Sequence, residues 1–138
     1  MNLKDYVIVT GMPGVQKIVA TRNNGMLVED LDTGKVRLAP SRKHQFSPLD
    51  SMSMYVTGEE DSIALKEVFQ SMLDKLNETP PISPDSPTAE LRTYFTAVVP
   101  NHDPERVHAS DIKKAIRWFT FMNDRGLLTG DPDADEEE

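Results

Sequence analysis

Residues Gly11 to Pro40 read GMPGVQKIVATRNNGMLVEDLDTGKVRLAP, and this stretch decides the fold because it spells two consecutive β-hairpins. Gly11-Met12-Pro13-Gly14 has the form of a type II turn, with Pro13 presetting φ and Gly14 supplying a positive φ. Val15, Ile18 and Val19 then give a β-branched strand, and Asn23-Asn24-Gly25 tolerates the left-handed geometry of a tight hairpin loop. Met26 to Leu31 is the return strand. Asp32-Thr33-Gly34-Lys35 makes a second turn, Val36 and Leu38 alternate with polar neighbours, and Pro40 ends that strand because it has no N–H for a ladder.

Working outward, Tyr6-Val7-Ile8-Val9 is a short apolar run fit for a buried first strand. Ser41 to Pro48 reads as a polar, basic loop carrying Phe46. Met52, Met54 and Val56 alternate with polar residues and supply a fifth strand. Five short strands within residues 1–57 are expected to close as an SH3-like barrel. Residues 58–78 hold an amphipathic helix at 63–77, where Leu65, Val68, Phe69, Met72, Leu73 and Leu76 share one face. Asn77 and the prolines beyond it stop that helix, and residues 79–87, with four of the ten prolines, form a stiff linker.

Residues 88–128 are expected to be a small helical domain. Ser86 caps its first helix with Pro87 at the opening position, and Pro100 closes it. Asp103-Pro104-Glu105-Arg106 suggests one further turn of helix. Ser110 then caps a helix from Asp111 to Arg125, which Gly126 ends with Met122 against Leu127 as in a Schellman motif. About 45 residues bury little surface alone, so this unit should dock on helix 63–77 or on a partner. The fold class is α+β, and residues 129–138 are expected to be a disordered acidic tail.

Residues 131–138 carry six of the eight net negative charges, so the overall acidity says little about the barrel surface. The absence of cysteine excludes disulfides and thiolate metal sites, and fits a reducing, cytoplasmic setting. No stretch approaches the ~20 apolar residues of a membrane span. His44, His102 and His108 lie outside any two-on-one-face metal motif, and no phosphate loop or cysteine nucleophile is present. His102, Asp103 and His108 could bring three donors together, but their ordinary reading is a solvated turn between helices. No cofactor, metal or catalytic residue is expected.

Several segments in order, among them Gly11-x-Pro13-Gly14 with Lys17 and Val19, Leu65-Lys66-Glu67-Val68, Glu90-Leu91-Arg92-x-Tyr94-Phe95, and Ser110-Asp111-Ile112-Lys113-Lys114 with Trp118, carry a resemblance. The chain short of its tail resembles an uncharacterised family of small bacterial proteins built from an N-terminal and a C-terminal domain of unknown function. That resemblance implies no activity, ligand or catalytic residue. The family pattern favours an aromatic where this chain has Gln16.

Two surfaces remain as candidates. On helix 111–125, Ile112, Ala115, Ile116, Phe119 and Met122 share the core face, while Lys114, Trp118, Phe121 and Arg125 form a second stripe. Aromatics flanked by cations are the composition of a protein-docking surface, so a non-catalytic adaptor with an unidentified protein partner is the first expectation. Its competitor is a helix simply buried on two sides. The second surface comprises Lys35, Arg37, Arg42, Lys43 and Phe46, where cations meet phosphates and an aromatic stacks a base, giving an RNA- or single-strand-binding alternative. Glu29, Asp30 and Asp32 nearby would oppose it.

Overall fold

The computed structural model describes residues 1–128. Its strands are β1 (Tyr6–Val9), β2 (Gln16–Arg22), β3 (Gly25–Asp30), β4 (Val36–Pro40), β5 (Phe46–Pro48), β6 (Ser53–Tyr55) and β7 (Ser62–Ala64). The helices are α1 (Leu65–Asp74), α2 (Thr88–Val98) and α3 (Ala109–Asp124), and one 3-10 turn spans Leu49–Ser51. The first five strands form an antiparallel sheet in the order β4-β3-β2-β1-β5, and β6 pairs with β7 in a separate small sheet. Among the described residues β4 and β5 do not pair, so the sheet is not closed into a barrel.

Both hairpins of Gly11–Pro40 form, with turn chemistry that differs in detail. Met12 N–H donates to Val9 C=O at 3.0 Å, so the first turn is centred on Thr10-Gly11, with Gly11 at φ 83° in the position expected of Gly14. In the β2–β3 hairpin neither Asn23 nor Asn24 is left-handed. Gly25 is needed there for close approach instead, since an added Cβ would overlap the Ala39 carbonyl of β4. In the β3–β4 turn the Asp30 carboxylate accepts the N–H groups of Asp32 and Thr33 at 2.8 and 2.9 Å, which holds it below the usual carboxylate range.

The expected fifth strand is displaced. Phe46–Pro48, read from sequence as part of a loop, pairs with β1, whereas Ser53–Tyr55 pairs with Ser62–Ala64. Three residues that end in Pro48 and follow a basic turn carry too short a pattern to announce a strand; tertiary pairing with Val7–Val9 makes it one.

β1 stands between two cores. Val7 and Val9 join Met26, Val28 and Ala39 in a small cluster within the sheet. Tyr6 and Ile8, of opposite parity, pack on the large cluster that contains Met1, Leu3, Val15 and Leu49 together with all three helices. Ile82 of the proline-rich stretch packs on that large cluster as well.

The helix ends lie up to three residues from where local signals place them. The helix expected at 63–77 spans Leu65–Asp74, because Ile63 and Ala64 are taken into β7 and Lys75 caps its end. α1 begins at Leu65, with Ala64 N–H donating to the Glu67 carboxylate. Pro87 rather than Ser86 stands at the cap of α2, and His108 rather than Ser110 at that of α3, its N–H donating to Asp111 at 2.9 Å. The Asp103–Arg106 segment is a turn, closed by Arg106 and Val107 N–H on Asp103 C=O. The stop of α3 is the Schellman arrangement expected: Leu127 N–H meets Met122 C=O, Gly126 N–H meets Asn123 C=O, and Gly126 takes φ 70°. At the end of α2, Nζ of Lys75, the C-cap of α1, and Oγ of Ser71 within α1 donate to the Ala97 and Val98 carbonyls, which have no partner further along their own helix.

Candidate functional site

α3 buries Ile112, Ala115, Ile116, Phe119 and Met122, with Phe119 edge-on to Phe69 of α1 at 5.8 Å between ring centroids. Its second stripe divides into two parts that do different work. The C-terminal part, Phe121 and Arg125, locks α3 to the five-stranded sheet. Gly14, at φ 65°, leaves the space that the Phe121 ring occupies, and an added Cβ would overlap that ring. The Arg125 guanidinium lies 3.5 Å above the Phe121 centroid and donates through Nε and Nη2 to both Asp32 oxygens at 2.8 and 3.0 Å. Its Nη1 donates to Phe121 C=O. This fork holds the Asp32 carboxyl below its ordinary range. Phe121 and Arg125 are therefore committed within the chain.

The N-terminal part, Lys114 and Trp118, opens onto a groove of about 270 Å³ between α3 and β6. Met54, Leu65 and Ala115 make its apolar floor, and Tyr55 and Arg106 form one wall. Tyr55 is 46% exposed and carries the Arg106 guanidinium 4.4 Å from its ring centroid. Arg106 also meets Asp61 at 2.9 Å and Asp103 at 2.8 Å, so its charge is compensated and the Asp103 carboxyl is held low. Trp118 is half-buried, packed on the large core, with its outer edge in the groove.

Of the basic surface, Lys35, Arg37, Arg42 and Lys43 are exposed on β4 and its flanking turns. Phe46 lies opposite Val9 in β5 and packs on the small sheet core. Gln16 is buried, and its side-chain amide donates to Pro13 C=O. His102 is buried edge-on to Phe95, with Nδ1 against Val99 C=O at 2.9 Å. Its reading as a solvated turn residue is thus corrected: it is a core histidine. Among the described residues no group of three or more His, Asp or Glu could hold a metal ion, and no helix is long and apolar enough to cross a membrane. A second hollow, between α2 and the proline-rich stretch, is lined by Pro80, Ile82 and Tyr94; burial pushes the Tyr94 hydroxyl up to about 12. The acidic stretch 131–138 lies outside the described residues.

Sequence reasoning missed the β6 side of the groove, because Tyr55 and Arg106 lie far apart in the chain and only the fold sets them against Trp118.

The chain belongs to the family described as a domain of unknown function (DUF6852), whose model matches residues 52–122. Residues 3–49 match a second model, also a domain of unknown function (DUF5606). The groove thus lies wholly within the first match. The chain is similar to a protein from Bacteroides vulgatus, solved by solution NMR within a structural genomics programme. The two share 29% sequence identity and a TM-score of 0.73, with 91% of this chain and 89% of that one covered. No curated protein matches. None of these descriptions names a ligand or an activity.

Proposed function

We propose that this chain is a cytoplasmic, non-catalytic protein-interaction module that docks its partner in the groove at Trp118 and Lys114. The observation that carries the reading is Trp118 itself, a half-buried aromatic that lines an open groove, whereas Phe121, half-buried on the same helix, is taken up by Gly14 and Arg125. Tryptophan in an apolar hollow with a polar rim is the usual anchor of binding energy. The docking face expected from sequence is narrowed accordingly, with Phe121 and Arg125 serving the fold. In this reading the five-stranded sheet is an open SH3-like barrel, supported by the strand order and by the β-bulge between Ile18 and Ala20 that sharpens the twist of β2.

The test is capture of partners from nuclease-treated native lysate by the tagged chain. Trp118→Ala should abolish it, and Lys114→Glu, at an exposed position, should weaken it without unfolding the protein. Equal capture by wild type and both variants overturns the reading. The nucleic-acid alternative keeps four exposed cations but lacks a presented aromatic, since Phe46 is turned to the core. Loss of every partner on nuclease treatment would restore it.

A further inference from the structure

We infer that the groove receives an extended peptide segment of another protein, which adds as a strand to the free edge of β6 and places a carboxylate at Lys114. This rests on the docking reading above and gives it a mode. The pairing of β6 is resolved by parity. Leu65 N–H donates to Met52 C=O and Val56 N–H to Asp61 C=O at 2.9 and 3.0 Å, so the even-numbered residues direct their backbone groups toward β7. The odd-numbered ones point the other way, toward the segment before α3. There Thr57 N–H meets Asn101 C=O at 2.8 Å and Asp103 N–H meets Tyr55 C=O at 3.0 Å, around the Val56–His102 bridge.

The pairing then stops, for a visible reason. Asp103 C=O, which would accept Tyr55 N–H in a continued ladder, instead accepts Arg106 and Val107 N–H as the chain turns into α3. Among the described residues, Tyr55 N–H and both backbone groups of Ser53 are left without a backbone partner. Ser53 and Tyr55 both line the Trp118 groove and are exposed. The chain's own residues 101–103 already meet this edge through an isolated antiparallel bridge, and the groove lies next along it.

An unpaired edge beside an apolar hollow is the arrangement that strand addition uses: backbone bonds give affinity, and alternate side chains enter pockets. An apolar residue would fill the hollow over Met54 and Leu65. The neighbouring charges select the rest. Arg106 is held by Asp61 and Asp103, and Asp111 accepts His108 N–H. The Lys114 ammonium has no ion-pair partner among the described residues, so a peptide carboxylate complements it. The chain's own segment 129–138 has Ala134 as its only hydrophobic residue and does not suit the hollow.

The experiment selects peptides from a displayed random library on the full chain, then follows the tightest by amide hydrogen exchange and by the Trp118 indole resonance. The expected result is a shifted indole together with Ser53 and Tyr55 amides protected by about tenfold or more. N-methylation of the peptide amide facing Ser53 should abolish that protection, and Lys114→Ala should weaken binding about threefold. A peptide that shifts the indole while both amides keep exchanging freely overturns strand addition and leaves the docking reading standing. A library yielding no peptide that perturbs Trp118 overturns both. Protection already present without peptide, and lost on deleting residues 129–138 or on dilution, would make the occupant the tail or a second copy and overturn the proposal.

Discussion

Gly14 shows how much one residue can carry. From sequence it is a turn glycine, and its positive φ is real, but the turn is closed three residues earlier, with Gly11 in that role. What requires glycine at position 14 is the Phe121 ring from the far end of the chain, a contact no local pattern announces. Gly14→Ala therefore meets two penalties, left-handed backbone and ring overlap, and should cost about 2–4 kcal/mol in urea unfolding. In a Phe121→Ala background the ring is gone, and only about 1–2 kcal/mol should remain for the same substitution. An undiminished cost would show that the ring is not what excludes a side chain at Gly14.

At the scale of elements, α3 is the part most legible beforehand. Its core face, the Schellman stop and the second stripe all follow from 100° steps and a glycine. The stripe's division into an internal lock and an open groove was not legible, since it depends on where Asp32, Gly14 and β6 come to lie. The lock has a pH signature. Arg125 holds Asp32 below its ordinary value of 3.8, so around and below that pH the folded chain binds fewer protons than the unfolded one. Its contribution is complete above the unfolded value and is lost as pH falls through the lower, folded one. The gap in urea midpoint between wild type and Asp32→Asn should hold steady from about pH 7 to about pH 5 and close toward about pH 2. A gap that widens on acidification would contradict the lock.

At the scale of the molecule, the two sequence halves and the matched domains at 3–49 and 52–122 suggest two units joined end to end, whereas the core is shared. Met1, Leu3, Val15 and Leu49 from the first half lie in one cluster with Phe69, Phe95 and Phe119 from the second. The proline-rich stretch that looks like a boundary in sequence sends Ile82 into the same cluster, because composition marks stiffness and not what the segment packs on. β1 ties the remaining sheet core to this cluster by presenting Val7 and Val9 to one side and Tyr6 and Ile8 to the other. Melting either side removes the support of the strand that the other side needs. Unfolding should accordingly be a single transition. In urea, the methyl signals of Val28, inside the sheet, and Ile116, on α3, should disappear at one midpoint together with the Trp118 fluorescence change. If Val28 is lost well before Ile116, the sheet is an independent unit and β1 does not couple the two cores.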